Sequence, residues 1–203
     1  MKLYYARGAC SLSVHIALRE AGLPFDLVRY DIPQASLEGP GTIRDANPKG
    51  YVPVLALDDG QRLTEAAVVL QWIADRVPEK KLAPPAGTME RYRLQEWLNF
   101  TATEIHKLFW PFFHPDAAAE KPTTEPRLRR SLDFAARGVA GRPFLMGEAF
   151  TVADAYLFNV VNWIKPAGLD VAAWPELREY RTRVAERPAV KAALEAEGLL
   201  KRA

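Results

Sequence analysis

The sequence predicts an α/β domain followed by an all-α domain, and three observations carry that reading. Short strand-like and helix-like runs alternate over residues 1–77. A proline-rich break holding Pro78, Pro84 and Pro85 spans residues 78–87. Beyond it strand-like alternation does not return, and runs at helical spacing fill residues 88–203.

Each element has its own reason. Lys2 to Ala6 reads as a strand with Leu3 and Tyr5 on one face and Tyr4 on the other. Cys10 to Ala21 reads as a helix, with Leu12, Ile16 and Ala17 on one side, and Gly22-Leu23-Pro24 stops it. Phe25 to Tyr30 is a second strand, which the crossover makes parallel to the first. A polar Gly/Pro-rich loop runs from Pro33 to Gly50, with at most a short helix at Thr42 to Ala46. Val52 to Leu57 is the third strand, Asp59-Gly60 a two-residue hairpin turn, and Arg62-Leu63 the fourth strand. Glu65 to Arg76 follows as a helix with Ala66, Val69, Leu70 and Ile73 at helical spacing. The order βαβ, loop, ββ, helix is that of a thioredoxin-like domain. After the linker, helices are expected at Thr88–Phe113, Pro126–Val139, Val152–Ile164, Pro175–Glu186 and Ala189–Glu197. The expected domains are therefore 1–77 and 88–203, joined by 78–87.

Composition narrows the function. A hydrophobic fraction of 49% and a charged fraction of 26% suit a globular protein. A formal net charge of +2, with basic and acidic residues interleaved, argues against nucleic acid as a partner. The densest basic cluster, Arg127, Arg129 and Arg130 beside Glu125, reads as a solvated helix face. The N-terminus reads as a strand rather than a signal peptide, and no apolar run approaches the roughly 20 residues that span a bilayer. The single cysteine, Cys10, excludes an intrachain disulfide and fits a reducing compartment, so the expected location is cytoplasmic.

Four features carry candidate chemistry. Cys10 opens a helix whose unpaired N–H groups and dipole favour a thiolate, either its own or that of a bound thiol; the plainer reading is a small apolar filler. In a thioredoxin-like setting Val52-Pro53 is a cis peptide that frees the Val52 backbone to pair with an extended peptide; outside it, Pro53 only makes a turn. At Thr64-Glu65-Ala66 the Thr64 hydroxyl can cap the helix. There the Glu65 and Ala66 N–H groups suit a carboxylate and the Glu65 side chain an ammonium, or the segment is an ordinary cap. Asn99, Thr103 and His106, followed by Trp110 and Phe113, fall on one helical stripe that lines either a cleft or a domain interface. Thr151-Val-Ala-Asp154, preceded by Phe150, reads as a structural capping box with a staple.

Taken together these residues resemble the beta-class glutathione transferases over nearly the whole chain. The resemblance rests on Gly8-Ala-Cys-Ser-Leu, His15-Ile-Ala-Leu-Arg-Glu, Asn47-Pro-Lys-Gly-Tyr-Val-Pro, Leu63-Thr-Glu, Glu96-Trp-Leu-Asn, Thr103-Glu-Ile-His-Lys, Phe150-Thr-Val-Ala-Asp-Ala-Tyr-Leu-Phe and Ala185-Glu-Arg-Pro. It implies a bacterial cytosolic homodimer that uses glutathione as a substrate, needs no metal, and detoxifies hydrophobic electrophiles by conjugation. By position, Cys10 would lie beside the glutathione sulfur, Val52 before Pro53 would pair with the cysteinyl unit, and Glu65 with Ala66 would hold the γ-glutamyl head. Asn99, Thr103 and His106 would face the sulfur and the second substrate, and Glu104 would reach the neighbouring subunit's glutathione. Tyr5, Trp110, Phe113 and Trp163 would line the electrophile pocket, with Cys10 and His106 as the catalytic pair.

The chain departs from the pattern in three places. Arg7 replaces the usual proline and adds a cation that would favour a thiolate. Ala66 lacks a hydroxyl. Gln34-Ala35 stands where a lysine is common, which implies weaker glutathione binding. Two other functions fit the same residues: a glutathione-dependent thiol–disulfide oxidoreductase working through Cys10, and a non-catalytic binding protein on the same fold.

Overall fold

The computed structural model describes residues 1–200. The chain divides into two compact units, Met1–Ala83 together with the segment from Glu186 onward, and Pro84–Ala185. The division falls within the expected linker. The last helix, expected with the helical half, belongs instead to the first unit.

The first unit contains β1 (Lys2–Tyr5), α1 (Ser11–Ala21), β2 (Asp26–Asp31), β3 (Ser36–Leu37), α2 (Ile43–Ala46), β4 (Val54–Ala56), β5 (Arg62–Thr64), α3 (Ala66–Arg76) and, from the C-terminal segment, α9 (Pro188–Ala196). Its sheet has the order β3-β2-β1-β4-β5. β1 and β2 are parallel with Leu3 beside Leu27, whereas β4 runs antiparallel to β1 with Leu55 beside Leu3. The right-handed crossover preference explains why a helix between two parallel strands must lie across one sheet face. α1 does so and also packs on α3 and α9. That double covering is why Leu12, Val14, Ile16 and Leu18 are all buried although they span several faces of the helix. Gly22 ends α1 in the left-handed region at φ 69° with its N–H returned to the helix, as the stop signal predicts.

Two local readings need correction. β3, a two-residue edge strand on β2, lies inside the segment expected as loop; two residues are too few for alternation to register. The hairpin between β4 and β5 uses three loop residues, Asp58 to Gly60, with Leu57 N–H bonded to Gln61 and Gly60 at φ 86°. This is a type I turn closed by a left-handed glycine rather than a two-residue turn. A small cluster of Ala6, Ile43, Ala46, Val52 and Val54, with Ala9 packed against it, holds the Val52 segment beside the start of α1.

The second unit contains α4 (Met89–Phe100), a π-helical turn (Thr101–His106), a 3₁₀ turn (Lys107–Phe109), α5 (Trp110–Phe113), α6 (Lys121–Val139), α7 (Val152–Val161) and α8 (Pro175–Ala185). The single helix expected over Thr88–Phe113 is thus broken into four pieces. α6 begins five residues before Pro126, with Pro122 in its first turn. Gly138 sits in α6 because a Cβ there would overlap the Trp97 ring, which forms a cluster with Phe100 and Phe134.

All ten residues of α7 are buried, and its start is fixed as the sequence predicts. The Asp154 carboxylate accepts from the Thr151 N–H at 2.8 Å, the Thr151 hydroxyl at 2.9 Å, the Leu145 N–H at 2.8 Å and the Tyr180 hydroxyl at 3.1 Å. Burial pushes this carboxyl upward, opposed by those donors. Replacing Asp154 by Ala removes a helix cap and strands several buried donors. Urea denaturation should show a loss of about 3 kcal/mol, and a loss below about 0.5 kcal/mol would contradict the capping role.

Candidate functional site

In the first unit the chain turns from β1 into α1 through Ala6–Cys10. Ser11 clamps the start of this loop: its hydroxyl accepts from the Ala6 N–H at 3.1 Å and donates to the Ala6 carbonyl at 3.2 Å. Gly8 adopts φ 68°, a conformation that a side chain would strain. Cys10 caps α1, is half-buried, and directs its thiol to the Val52 carbonyl at 3.4 Å. The structure therefore brings Cys10 and Val52 together, and the Val52–Pro53 bond is cis as expected.

The thiol is not activated in this state. The N–H groups of Cys10 and Ser11 pull its pKa down, but burial outweighs them and lifts the thiol to about 12, helped slightly by the Glu65 carboxylate. Of the two sulfurs that the sequence left open to carry the thiolate, burial weighs against that of Cys10 itself. The Arg7 guanidinium donates to the Gly198 carbonyl, and the groups that shift the Cys10 thiol do not include it.

At the start of α3 the expected cap is also corrected. Thr64 ends β5, and its hydroxyl accepts from the Lys49 ammonium at 2.9 Å instead of capping the helix. Glu65 is the cap residue, at φ 67° and ψ 114°. Such a backbone costs a non-glycine residue about 1–3 kcal/mol and is characteristic of functional positions. The Glu65 carboxylate accepts from Lys49 and from the Tyr51 hydroxyl, the latter at 2.9 Å. Bonding to Glu65 raises the Lys49 pKa, and burial followed by Glu65 raises that of Tyr51. An ammonium thus already rests on Glu65, which shows that the carboxylate can accept one. Ala66, the first residue of α3, is buried.

The second unit gathers another set. His106 ends the π turn, with Nδ1 2.8 Å from the Tyr156 hydroxyl and its ring 4.8 Å from that of Trp163. Trp163 in turn meets Phe109 at 5.7 Å and Phe113 at 6.0 Å. Thr103 and Asn99 are exposed, and the Thr103 hydroxyl donates to the Asn99 carbonyl at 3.1 Å. Glu104 is exposed, and Trp110 projects to solvent with Lys107 over its ring. Tyr5 differs: it is 8% exposed on β1 with its ring beside His15, a core position rather than a pocket lining. Burial is the main cause of its raised pKa.

Family models agree with this architecture. The N-terminal domain model of glutathione S-transferase matches residues 8–76, and the C-terminal domain model matches residues 100–188. The chain belongs to the glutathione S-transferase family. It is 44% identical to the glutathione S-transferase GstA of Escherichia coli O157:H7, over 98% of this chain and all of that protein. A bacterial beta-class transferase from Sphingomonas chungbukensis superposes with a TM-score of 0.94 at 43% identity, and a sphingomonad transferase solved with glutathione with a TM-score of 0.93 at 43%. Both solved structures match over 98% of this chain and 100% of their own. The resemblance drawn from sequence motifs is borne out, and so is the fold class.

Sequence reasoning missed Lys49 and Tyr51, although both lie in the motif Asn47 to Pro53 that carried the resemblance. It also missed Tyr156, which presents as one more apolar residue of α7. A thiol that titrates near 12 has a thiolate fraction that grows tenfold per pH unit through the neutral range. Alkylation of the ligand-free protein by iodoacetamide should therefore rise about tenfold per unit from pH 7 to 10 without a plateau. A plateau below pH 9 would show that the sulfur is activated after all.

Proposed function

We propose that this chain conjugates the glutathione thiolate to electrophilic small molecules, with glutathione held by the first unit. The observation that supports it best is the grouping of three complementary features in that unit. The Val52–Pro53 segment lies where Cys10 directs its thiol at the Val52 carbonyl, and Glu65 holds a carboxylate, bonded by Lys49 and Tyr51, in a strained backbone. Glutathione offers the matching groups: a peptide backbone, a sulfur and an α-ammonium. Val52 and Pro53 would receive the cysteinyl unit, and Glu65 with the Ala66 N–H the γ-glutamyl head. Cys10, protonated, would donate to the glutathione sulfur rather than attack with its own. The helical unit would supply the remaining roles: His106, oriented by Tyr156, for proton transfer, Trp110, Phe113 and Trp163 as apolar surface, and Asn99, Thr103 and Glu104 as polar contacts.

A redox role through Cys10 is disfavoured by the same sulfur, since disulfide exchange needs a thiolate. Two substitutions separate the readings. Replacing Glu65 by Gln should raise KM for glutathione about tenfold or more, as loss of a charge-assisted hydrogen bond requires, with kcat changed less than about threefold. Replacing Cys10 by Ala should leave conjugation of 1-chloro-2,4-dinitrobenzene within about tenfold of the parent rate. Abolished turnover in that variant would favour the redox reading.

The working form is proposed to be a cytoplasmic homodimer. Among the described residues no helix is long and apolar enough to cross a membrane. In the helical unit Phe134 is 48% exposed against the half-buried Trp97 and Phe100, and Met89 and Tyr92 on α4 are 63% and 53% exposed, apolar surface suited to a second copy. Sedimentation velocity should give a dimer, and Phe134→Glu should shift it toward monomer. A monomeric parent at micromolar concentration would reject the interface.

A further inference from the structure

A buried polar network joins the loop before Cys10 to the chain's C-terminal turn, and none of its members has a role in the conjugation scheme. His15 and Glu197 are both fully buried, with His15 Nδ1 2.9 Å from Glu197 Oε1. Arg19 Nε lies 2.8 Å from His15 Nε2. A guanidinium only donates, so Nε2 must accept, and the His15 proton sits on Nδ1 where it donates to Glu197. The other carboxylate oxygen, Oε2, accepts the Gly8 N–H at 2.9 Å. One carboxylate therefore bonds α1 and the loop that precedes it, from a residue 189 positions away in sequence. Next to it Arg7 donates to the Gly198 carbonyl, and the Leu199 side chain lies against Gly8.

We propose that Glu197 is a positioning residue for Cys10, and that the Glu197–Gly198 turn is a clasp fixing the Gly8–Cys10 loop. Ser11 and the Ala9 N–H fix the loop at Ala6, but they do not hold Gly8, whose φ of 68° glycine has no steric reason to keep. The Glu197 carboxylate supplies the missing restraint through the Gly8 N–H, two residues from the sulfur. The His15–Arg19 relay holds that carboxylate in place from α1, so the helix that Cys10 caps and the loop leading to it share one anchor. Arg7 adds a second tie, its guanidinium donating to the Gly198 carbonyl. This inference rests on Cys10 lying at the glutathione sulfur.

The test uses the full-length protein and its single cysteine, which makes alkylation specific to Cys10. Glu197→Gln keeps the shape but can no longer accept from Gly8 and His15 together. With a thermal midpoint still well above assay temperature, it should alkylate with iodoacetamide about fivefold or more faster, because the sulfur is less confined. Its kcat with glutathione and 1-chloro-2,4-dinitrobenzene should fall about threefold, and no further than in the Cys10→Ala variant, while KM for glutathione stays within about twofold, as misplacement of the Cys10 thiol predicts. A folded variant with parental alkylation and kcat would overturn the proposal and leave Glu197 a purely structural tie. Should Glu197→Gln not fold, Arg7→Ala removes an exposed tie and should speed alkylation at least about twofold; an unchanged rate there would also overturn it. The alkylation measurements do not depend on glutathione, so failure of the conjugation reading would show separately, as no turnover by the parent protein.

Discussion

The turn from β1 into α1 is the constraint on which the site depends. Ala6 to Cys10 must reverse direction in five residues and still leave the first amides of α1 directed at a sulfur. The backbone groups of the turn are consumed one by one: both polar atoms of Ala6 by the Ser11 hydroxyl, the Ala6 carbonyl also by the Ala9 N–H at 3.0 Å, and the Gly8 N–H by Glu197. Polar groups satisfied from opposite sides leave the loop few alternative conformations, because each alternative would strand a buried donor or acceptor. The N–H groups of Cys10 and Ser11 favour a negative charge on the sulfur.

Those two amides do not win. Removing a thiolate from water costs more than one helix end restores, so Cys10 rests as a thiol whose hydrogen is directed at the Val52 carbonyl. At pH 7 a group that titrates near 12 is ionised in about one molecule in 10⁵. A nucleophile held at that level would be a poor design for disulfide exchange but suits a donor. A protonated cysteine can hydrogen-bond a thiolate brought by the substrate and stabilise its charge without competing for the electrophile. The same burial that silences the protein's own sulfur thereby favours conjugation by the sulfur of glutathione.

Most of the fold was legible because it rests on local signals. Glycine after α1, Thr42 before α2, and Thr151 with Asp154 before α7 each mark an end through bonds made within a few residues. Of the site, Cys10, the cis Val52–Pro53 bond and Glu65 were legible for the same reason: each sits at an element boundary that pattern alone can find. The features that escaped depend on contacts distant in sequence. Nothing near Glu197 signals that it bonds Gly8, and nothing in the apolar run of α7 distinguishes Tyr156 as the partner of His106. The Thr64 cap failed because α3 starts one residue later than the pattern places it: Thr64 still belongs to β5 with its hydroxyl on Lys49, and Glu65 holds the cap position in a strained conformation.

The long helix of the second unit shows how periodicity can mislead where function intervenes. Asn99, Thr103 and His106 share a face only if 3.6 residues make every turn, and Thr101–His106 is π-helical instead. The wider turn is supported locally, since the Thr103 hydroxyl bonds the Asn99 carbonyl. An inserted residue rotates the downstream side chains by about 100° relative to the preceding helix. The return through a 3₁₀ turn then buries Phe109 and leaves Trp110 outside. His106 consequently meets Tyr156 and Trp163 rather than continuing a simple stripe, and gains a fixed ring orientation from a hydroxyl on one side and an aromatic edge on the other. An unbroken α-helix would have satisfied its own backbone at lower cost. What the π turn provides is the orientation of one imidazole, a property no average over helical spacing can reveal.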